Sequence, residues 1–387
     1  MLVTQIYEIM NDVTSEILGD SAVVNEDLSN IVDIGNAIFD ATSIDNYVKS
    51  LVDKVGRVIF VNRPYAGGAP SVLRDAWEFG CVLQKISADL PEATENESWA
   101  LQDGESYDPN IFYKPSVSAK FFSKRVTFEV PMSFTELQVK SAFNSAEELN
   151  SFISMLYNAV DKAMTVKLDG LVMRTINAMI GETIHAEYGS DALSGGTHVK
   201  AINLLYEYNN GPNYGGTALT VAKCFTDPDF IRFAVKQMNI IRNRMAKIST
   251  LFNIGGKARF TPTEYMNTVM LSDFKESADV YLQSDTFHDE YTRLAPADVV
   301  PYWQGSGTGY DLTSISKIDV VTPSGDTVQA SGILAVMFDR DALGVANLDR
   351  RTTSNYNPKA EFYNNWFKMD AGYFADLNEN FVVFLVA

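Results

Sequence analysis

Residues 145–181 read SAEELNSFISMLYNAVDKAMTVKLDGLVMRTINAMIG, and the reading of this stretch decides the fold. Ser145 and Glu148 form an S-x-x-E pair, a capping box in which each side chain satisfies a free backbone N–H of a helix start. Apolar residues follow at Leu149, Phe152, Ile153, Leu156, Val160, Ala163, Met164, Leu168, Leu171, Val172, Ile176, Met179 and Ile180. Steps of three and four keep one face apolar for about ten turns, and Gly181 is the expected stop. At 1.5 Å per residue such a helix is about 50 Å long, against a mean of about 11 to 12 residues in globular proteins. The spacing drifts from a strict heptad and Gly170 interrupts it, so a single long strut fits better than a coiled-coil strand.

Upstream of the helix the pattern is extended. CVLQKISADL (from Cys81) and SAKFFSKRVTFEV (from Ser118) both read as strands, separated by about 25 polar residues that hold Asp89, Glu92, Glu95, Glu97, Asp103, Glu105 and Asp108. A long two-stranded hairpin is not stable alone in water. It needs a surface from outside its own fold, most simply a neighbouring copy. Its returning limb is basic, with Lys114, Lys120, Lys124 and Arg125, so its limbs carry opposite charge; the bland alternative is a surface loop of solvated charges. Earlier still, residues 1–56 carry short apolar stripes at helical spacing (Ile6, Ile9, Met10, Val13, Ile17, then Ile44, Tyr47, Val48, Leu51, Val55). These stripes bury little against one another and read as an arm that packs elsewhere in an assembly. RVIFVN at 57–62 is a strand candidate, followed by the breaker-rich RPYAGGAP.

Downstream, one helix is expected near His198 to Tyr208. A second is opened by Asp227-Pro228-Asp229, proline being tolerated in the first turn, and carries Phe230, Ile231, Phe233, Ala234, Met238, Ile241, Met245 and Ile248. NTVMLSDF reads as a strand, Ser277 to Leu282 as a short helix, and strand-like runs dominate from Ala330 to the terminal FVVFLVA.

Charge and chemistry narrow the function. The 387 residues are 46% hydrophobic and 21% charged, proportions of a folded protein, and no apolar run approaches the roughly 18 residues that cross a bilayer. No basic residue precedes Lys49, which argues against an export signal. Acids outnumber bases 49 to 31, a net charge of −18. Gathering nucleic acid by neutralising phosphates needs clustered Lys and Arg, and no run of five basic residues occurs. Two cysteines, Cys81 and Cys224, make no disulfide framework and read as small buried apolar residues. His185, His198 and His288 lie far apart with no second histidine at ligand spacing. IGGKA has Leu251 where a phosphate loop needs its first glycine and Ala258 where it needs Ser or Thr. GSGTG at 305–309 opens no helix, and SDTFHDE has no G-x-S-x-G elbow beside it. No catalytic, cofactor or metal residues are assigned.

An arm, a long hairpin, a very long helix, a mixed domain and returning strands, in that order, resemble the tailed-phage major capsid protein family with the Hong Kong 97-type fold, an α+β fold. The local text that carries the resemblance is SVSAKFFSKRVTFEVPMSFTELQVKSAF before the helix, MLSDFKESADVYLQSDTFHDE, and the closing ILAVMFDRDALGVANLDRRTTSNYNPKAEFYNNWFKMDAGYFADLNENFVVFLV. The resemblance implies an N-terminal arm over 1–56, a lead into the peripheral domain over 57–77, and an E-loop over 78–131 that reaches over a neighbour. It implies a peripheral domain over 132–219 with its spine helix at 146–180, an axial domain over 220–335, and returning peripheral strands over 336–387. The implied function is self-assembly as hexamers and pentamers into an icosahedral shell around double-stranded phage DNA, without sequence-specific binding and without a membrane. Lys120, Lys124 and Arg125 would meet acids of an adjacent subunit, with Glu147 and Glu148 at the helix start as partners. With only 56 residues before the first strand, a separate scaffolding protein or self-sufficient assembly is expected; a portal and decoration proteins are further expected partners. The site of action would be the virion, assembled in the host bacterial cytoplasm. Rival readings are an encapsulin-type nanocompartment shell, which needs no scaffold, and an enzyme without recognised motifs.

Overall fold

The computed structural model describes residues 69–74, 83–88, 117–135, 146–189, 198–211, 216–283, 296–303, 316–321 and 325–387, with isolated residues between them. The expected N-terminal arm apart from Tyr7, Asn11 and Thr14, the RVIFVN strand, GSGTG and SDTFHDE lie outside the described residues, as does most of the hairpin tip. In chain order the elements are β1 (Leu73–Arg74), β2 (Leu83–Ala88), β3 (Val117–Phe122), β4 (Arg125–Thr135), α1 (Ala146–Tyr188), β5 (Ala201–Asn203), α2 (Leu204–Asn209), α3 (Pro228–Met245), β6 (Met266–Leu271), α4 (Ser272–Gln283), β7 (Asp298–Val300), β8 (Ile318–Val321), β9 (Thr327–Ala330), β10 (Ile333–Asp339), β11 (Leu343–Asn357), β12 (Phe362–Ala375) and β13 (Phe381–Leu385). Internal packing divides the chain into two units, one of residues 1–80, 124–174 and 345–373, the other of 81–123, 175–344 and 374–387.

The first unit is built on a four-stranded sheet in the order β1-β11-β12-β4. β4 and β12 run antiparallel in unbroken register from Arg125↔Gly372 to Thr135↔Phe362. Side chains alternate faces along a strand, and the sequence uses this. Val126, Phe128, Val130, Met132 and Phe134 share one face with Tyr363, Phe367, Met369 and Ala371 of the facing strand. That face is half-buried to buried, while the β4 residues between, from Arg125 to Thr135, are exposed. The exposed face is polar: Asp370 accepts from Thr127 at 2.6 Å and from Arg351 at 2.7 Å, and Lys368 lies 3.4 Å from Glu129.

The second unit has a five-stranded mixed sheet, β5-β13-β10-β6-β7. β10 and β13 are buried along nearly their whole length, on both faces. On one face Leu334, Met337, Val382 and Phe384 join Phe230, Ile231, Met238 and Ile241 of α3 and Phe274 and Ala278 of α4 in a single apolar core. On the other, Phe338 stacks on Phe381 at 5.7 Å. α3 begins as the sequence predicts: Asp227 accepts from the Phe230 N–H at 2.9 Å, with Pro228 in the first turn.

Three sequence expectations are corrected. The long helix runs past Gly181 to Tyr188, and the residue that ends it is Gly189, at φ +61° with its N–H on the His185 carbonyl at 2.8 Å. Gly181 is instead a contact point: a Cβ there would collide with Val320. The helix is also not apolar on one face only. From Leu171 to Ile184 it is buried almost all round, with Thr175, Asn177 and Thr183 inside as well, and Thr183 satisfies its hydroxyl on the Met179 carbonyl. Finally, the helix expected near His198 to Tyr208 divides into strand β5 and helix α2, because the Asn203 side chain caps α2 by accepting from the Tyr206 N–H at 3.1 Å.

Candidate assembly surfaces

The hairpin has only a short paired ladder among the described residues. β2 pairs with β3 over six positions, Leu83↔Phe122 to Ala88↔Val117. The basic returning limb then breaks at Ser123 and Lys124, and β4 joins the other sheet. The pairing puts Gln84, Ile86, Val117, Ala119 and Phe121 on one face and Lys85, Ser87, Ser118, Lys120 and Phe122 on the other.

The two faces are used in the reverse of the usual sense. The charged face is turned toward the hairpin's own unit. Lys120 Nζ donates to Asp376 Oδ1 at 2.8 Å, and Lys85 Nζ lies 3.0 Å from Asp376 Oδ2 and 2.6 Å from Glu379 Oε1. Arg259 Nε reaches the same Glu379 oxygen at 3.2 Å, and Phe122 packs on Phe374 at 5.4 Å between ring centres. Asp376 is 2% exposed, whereas Lys120 keeps 41% of its side chain in solvent. Burial pushes the Asp376 carboxyl up, but the Lys120 hydrogen bond, the Lys85 charge and the Asn378 N–H outweigh it. The pKa therefore lies below the ordinary carboxylate value. The other face carries no charge and stands in solvent: Ile86 is 64% exposed, Val117 60% and Phe121 65%.

The anchoring turn is itself held by hydrogen bonds on several sides. Asp376 accepts from the Asn378 N–H at 3.1 Å, and its own N–H donates to the Ala342 carbonyl at 2.7 Å. Gly255 donates to the Leu377 carbonyl at 2.8 Å and has no room for a Cβ against Asn378. The IGGKA loop thus serves to dock this turn. Beneath it, Asn380 donates to Thr261, which donates to Asp339 at 2.7 Å, all buried.

Of the residues expected at contacts between copies, Lys120 is ion-paired within its own chain. Lys124 and Arg125 are exposed at the start of β4. Glu147 and Glu148 lie on α1, with side chains outside those described. The sequence reading missed Lys85, Asp376, Glu379 and Arg259. The signal was available in VSAKFF, where strict alternation puts Lys120 on the face opposite Val117, Ala119 and Phe121. A second exposed apolar cluster, Ile248, Leu251 and Phe260, sits beside the Ser249–Arg259 bridge. Cys224 is buried, and burial together with Asp227 pushes its thiol up to about 12, so it is inert at neutral pH. His185 faces Asp326 at 3.6 Å and His198 faces Glu187 at 3.3 Å. Among the described residues no three potential ligands gather to hold a metal, and no helix is long and apolar enough to cross a membrane.

The long helix and the mixed core sheet belong to an α+β fold, the Hong Kong 97-type fold of tailed-phage capsid proteins. The model of one family, Phi29-like phage major capsid protein, matches residues 8–385, and the chain belongs to that family. It is 21% identical over 172 residues to the major capsid protein of Bacillus phage GA-1; the match spans 41% of this chain and a third (33%) of that relative's length. In fold it is similar to a chain in the structure of the head fiber and inner core protein gp22 of native bacteriophage P68. That chain is 9% identical, with a TM-score of 0.50 and coverage of 84% of this chain and 86% of that one. A chain in the capsid structure of Staphylococcus phage Andhra is 10% identical, with a TM-score of 0.49 and coverage of 82% and 83%. As a phage capsid protein the chain is a component of the virion.

Proposed function

We propose that this chain is the repeated shell subunit of a phage head, assembling with copies of itself as hexamers and pentamers into an icosahedral container for double-stranded DNA. The observation that carries the reading is the β2–β3 hairpin, whose charges turn inward and whose apolar face stands in water. A hairpin exposing aromatic and β-branched side chains is costly in an isolated molecule and useful where another copy covers it. Its visible apolar area, about three large side chains, is far below the roughly 800 Å² per partner of a stable pairwise interface. Such a contact is weak singly and effective when repeated around a closed shell.

Lys124, Arg125, Glu147 and Glu148 are proposed as contacts that set register between copies, since exposed ion pairs contribute only about 0–1 kcal/mol each. Lys120 has a partner in its own chain and belongs more naturally to the hairpin's base. A net charge of −18 gives the shell a field that repels DNA, which favours a genome driven in through a portal over one gathered by attraction. A scaffolding protein and decoration proteins are the further proposed partners, and the host bacterial cytoplasm is the proposed place of assembly. The test is negative-stain electron microscopy of the purified protein, alone and with the phage's scaffold co-expressed. Closed shells or ring-shaped capsomers are expected, and shells that need the scaffold would set the protein apart from a nanocompartment. A compact monomer under both conditions would overturn the reading.

A further inference from the structure

The hairpin's charged face raises a question that assembly alone does not answer: why two lysines on opposite strands converge on buried carboxylates of a C-terminal turn. Lys85 and Lys120 are register partners across the ladder, so the two ammonium groups leave the same face side by side. Both meet Asp376, one at each carboxylate oxygen. Lys85 also holds Glu379 and donates to the Asp341 carbonyl at 3.3 Å. Glu379 is fixed from behind by Arg259, and the turn is pinned by Gly255, Ala342 and the Asn380–Thr261–Asp339 chain. A single lysine on an acid leaves a hairpin free to pivot about it. Two attachments on opposite strands remove that rotation.

We propose that Asp376 and Glu379 are positioning residues for assembly: with Lys85 and Lys120 they clamp the root of the β2–β3 hairpin in the unassembled subunit, so that its charge-free face is presented outward at one set angle. The inference rests on the hairpin being an intersubunit element, and it adds what aims it. A two-stranded ribbon with one apolar side would otherwise fold that side onto its own unit, where the hydrophobic effect favours it. The clamp prevents this by giving the opposite face a stronger local partner. It is a fixture and not a pH switch. The groups that face Asp376 are Lys85, Lys120 and the neighbouring Glu379 with its Arg259. The depressed carboxyl of Asp376 stays ionised throughout the neutral range and loses its charge only in strong acid.

The experiment combines orientation and assembly readouts in the full chain. Spin labels at Ala119→Cys on the hairpin and Asn243→Cys on α3, with Cys81→Ser, report the hairpin's angle as a distance distribution in the unassembled subunit. The expected result is one narrow distance in the parent and a broad or shifted distribution in Asp376→Asn, which keeps the turn's acceptor and removes the charge. Asp376→Asn is also expected to lower shell yield about tenfold, on the scale of a lost charge-assisted hydrogen bond, and Asp376→Glu to restore part of it. Lys120→Met, altered on a half-exposed side chain outside the core, should behave as Asp376→Asn does and guards against a mere folding defect. An unchanged distribution in both variants, or shells of undiminished yield, would overturn the clamp. If the parent itself forms no shells, the shell reading fails, while the distance measurement still judges the clamp.

Discussion

The two main sheets of this protein solve the same problem in different ways. In the five-stranded sheet both faces of β10 and β13 are buried, so nearly every side chain from Ile333 to Phe338 and from Phe381 to Leu385 is out of water. In the four-stranded sheet β4 buries one face only, alternating exposed and half-buried residues along its length. Among the described residues β4 is also an edge, paired with β12 on one side. The small hairpin goes further and shows water its apolar side. Across these three, the apolar surface goes from fully buried to largely exposed. If the chain tiles a shell as proposed, stability and assembly draw on separate sheets, and mutations should separate them.

The largest effect is expected in the closed core. Phe384 is fully buried at the centre of β13, beside Ala335 and Ile202 in register. Phe384→Ala should destabilise the second unit by about 3–5 kcal/mol through lost burial and the cavity left behind. Hydrogen exchange would show β10 and β13 losing protection while β4 and β12 retain theirs. If all four strands lost protection together, the sheets would be one cooperative body and the comparison would fail.

How much of this the sequence disclosed follows the same division. Segments whose partners are close in the chain or whose burial is total were legible: the Asp227 cap of α3, the run GILAVMFD, and FVVFLVA all read correctly, because continuous apolar text has few alternative uses. The helix end was misread because Gly181 looks like a stop, while its true reason is close approach to Val320, a contact about 140 residues away that no local pattern carries. Asn203 was swallowed into a helix for a similar reason: β5 exists because β13 lies beside it. At the hairpin, the alternation that separates Lys120 from Phe121 was on the page, but its meaning depends on Asp376, some 250 residues on. Acids abound in so acidic a chain, and nothing in the text marks that one as the partner.

A smaller effect is expected on the polar face of the four-stranded sheet. Asp370 is held below its ordinary carboxyl value first by the Arg351 hydrogen bond, helped by Thr127 and the charge of Arg125 and opposed by burial. A depressed folded-state pKa means the contribution is present above the unfolded value and lost as pH falls through the folded one. Arg351 keeps 43% of its side chain in water, so solvent screening limits the loss in Asp370→Asn to about 1 kcal/mol. Exchange rates of β12 amides should differ between parent and variant at neutral pH and converge in acid below the ordinary carboxylate range. A difference that persisted there would mean that packing, and not charge, is what Asp370 supplies.

The smallest effect on the fold is expected where the exposed apolar area is most conspicuous. Phe121 is 65% exposed on the charge-free face of the hairpin and opposes Gln84 across the ladder. Phe121→Ser removes little that the isolated subunit buries, so its unfolding free energy from urea titration should stay within about 0.5 kcal/mol of the parent. Shell formation should nevertheless fall sharply, because the same loss is repeated at every copy of the contact. Sedimentation velocity of matched samples separates the two quantities: an intact monomer with few shells is the expected pattern. A variant that unfolds early would place Phe121 in the subunit's own core. One that assembles as well as the parent would remove the hairpin's apolar face from the interface, leaving the contact between copies to the exposed charges and edge of β4.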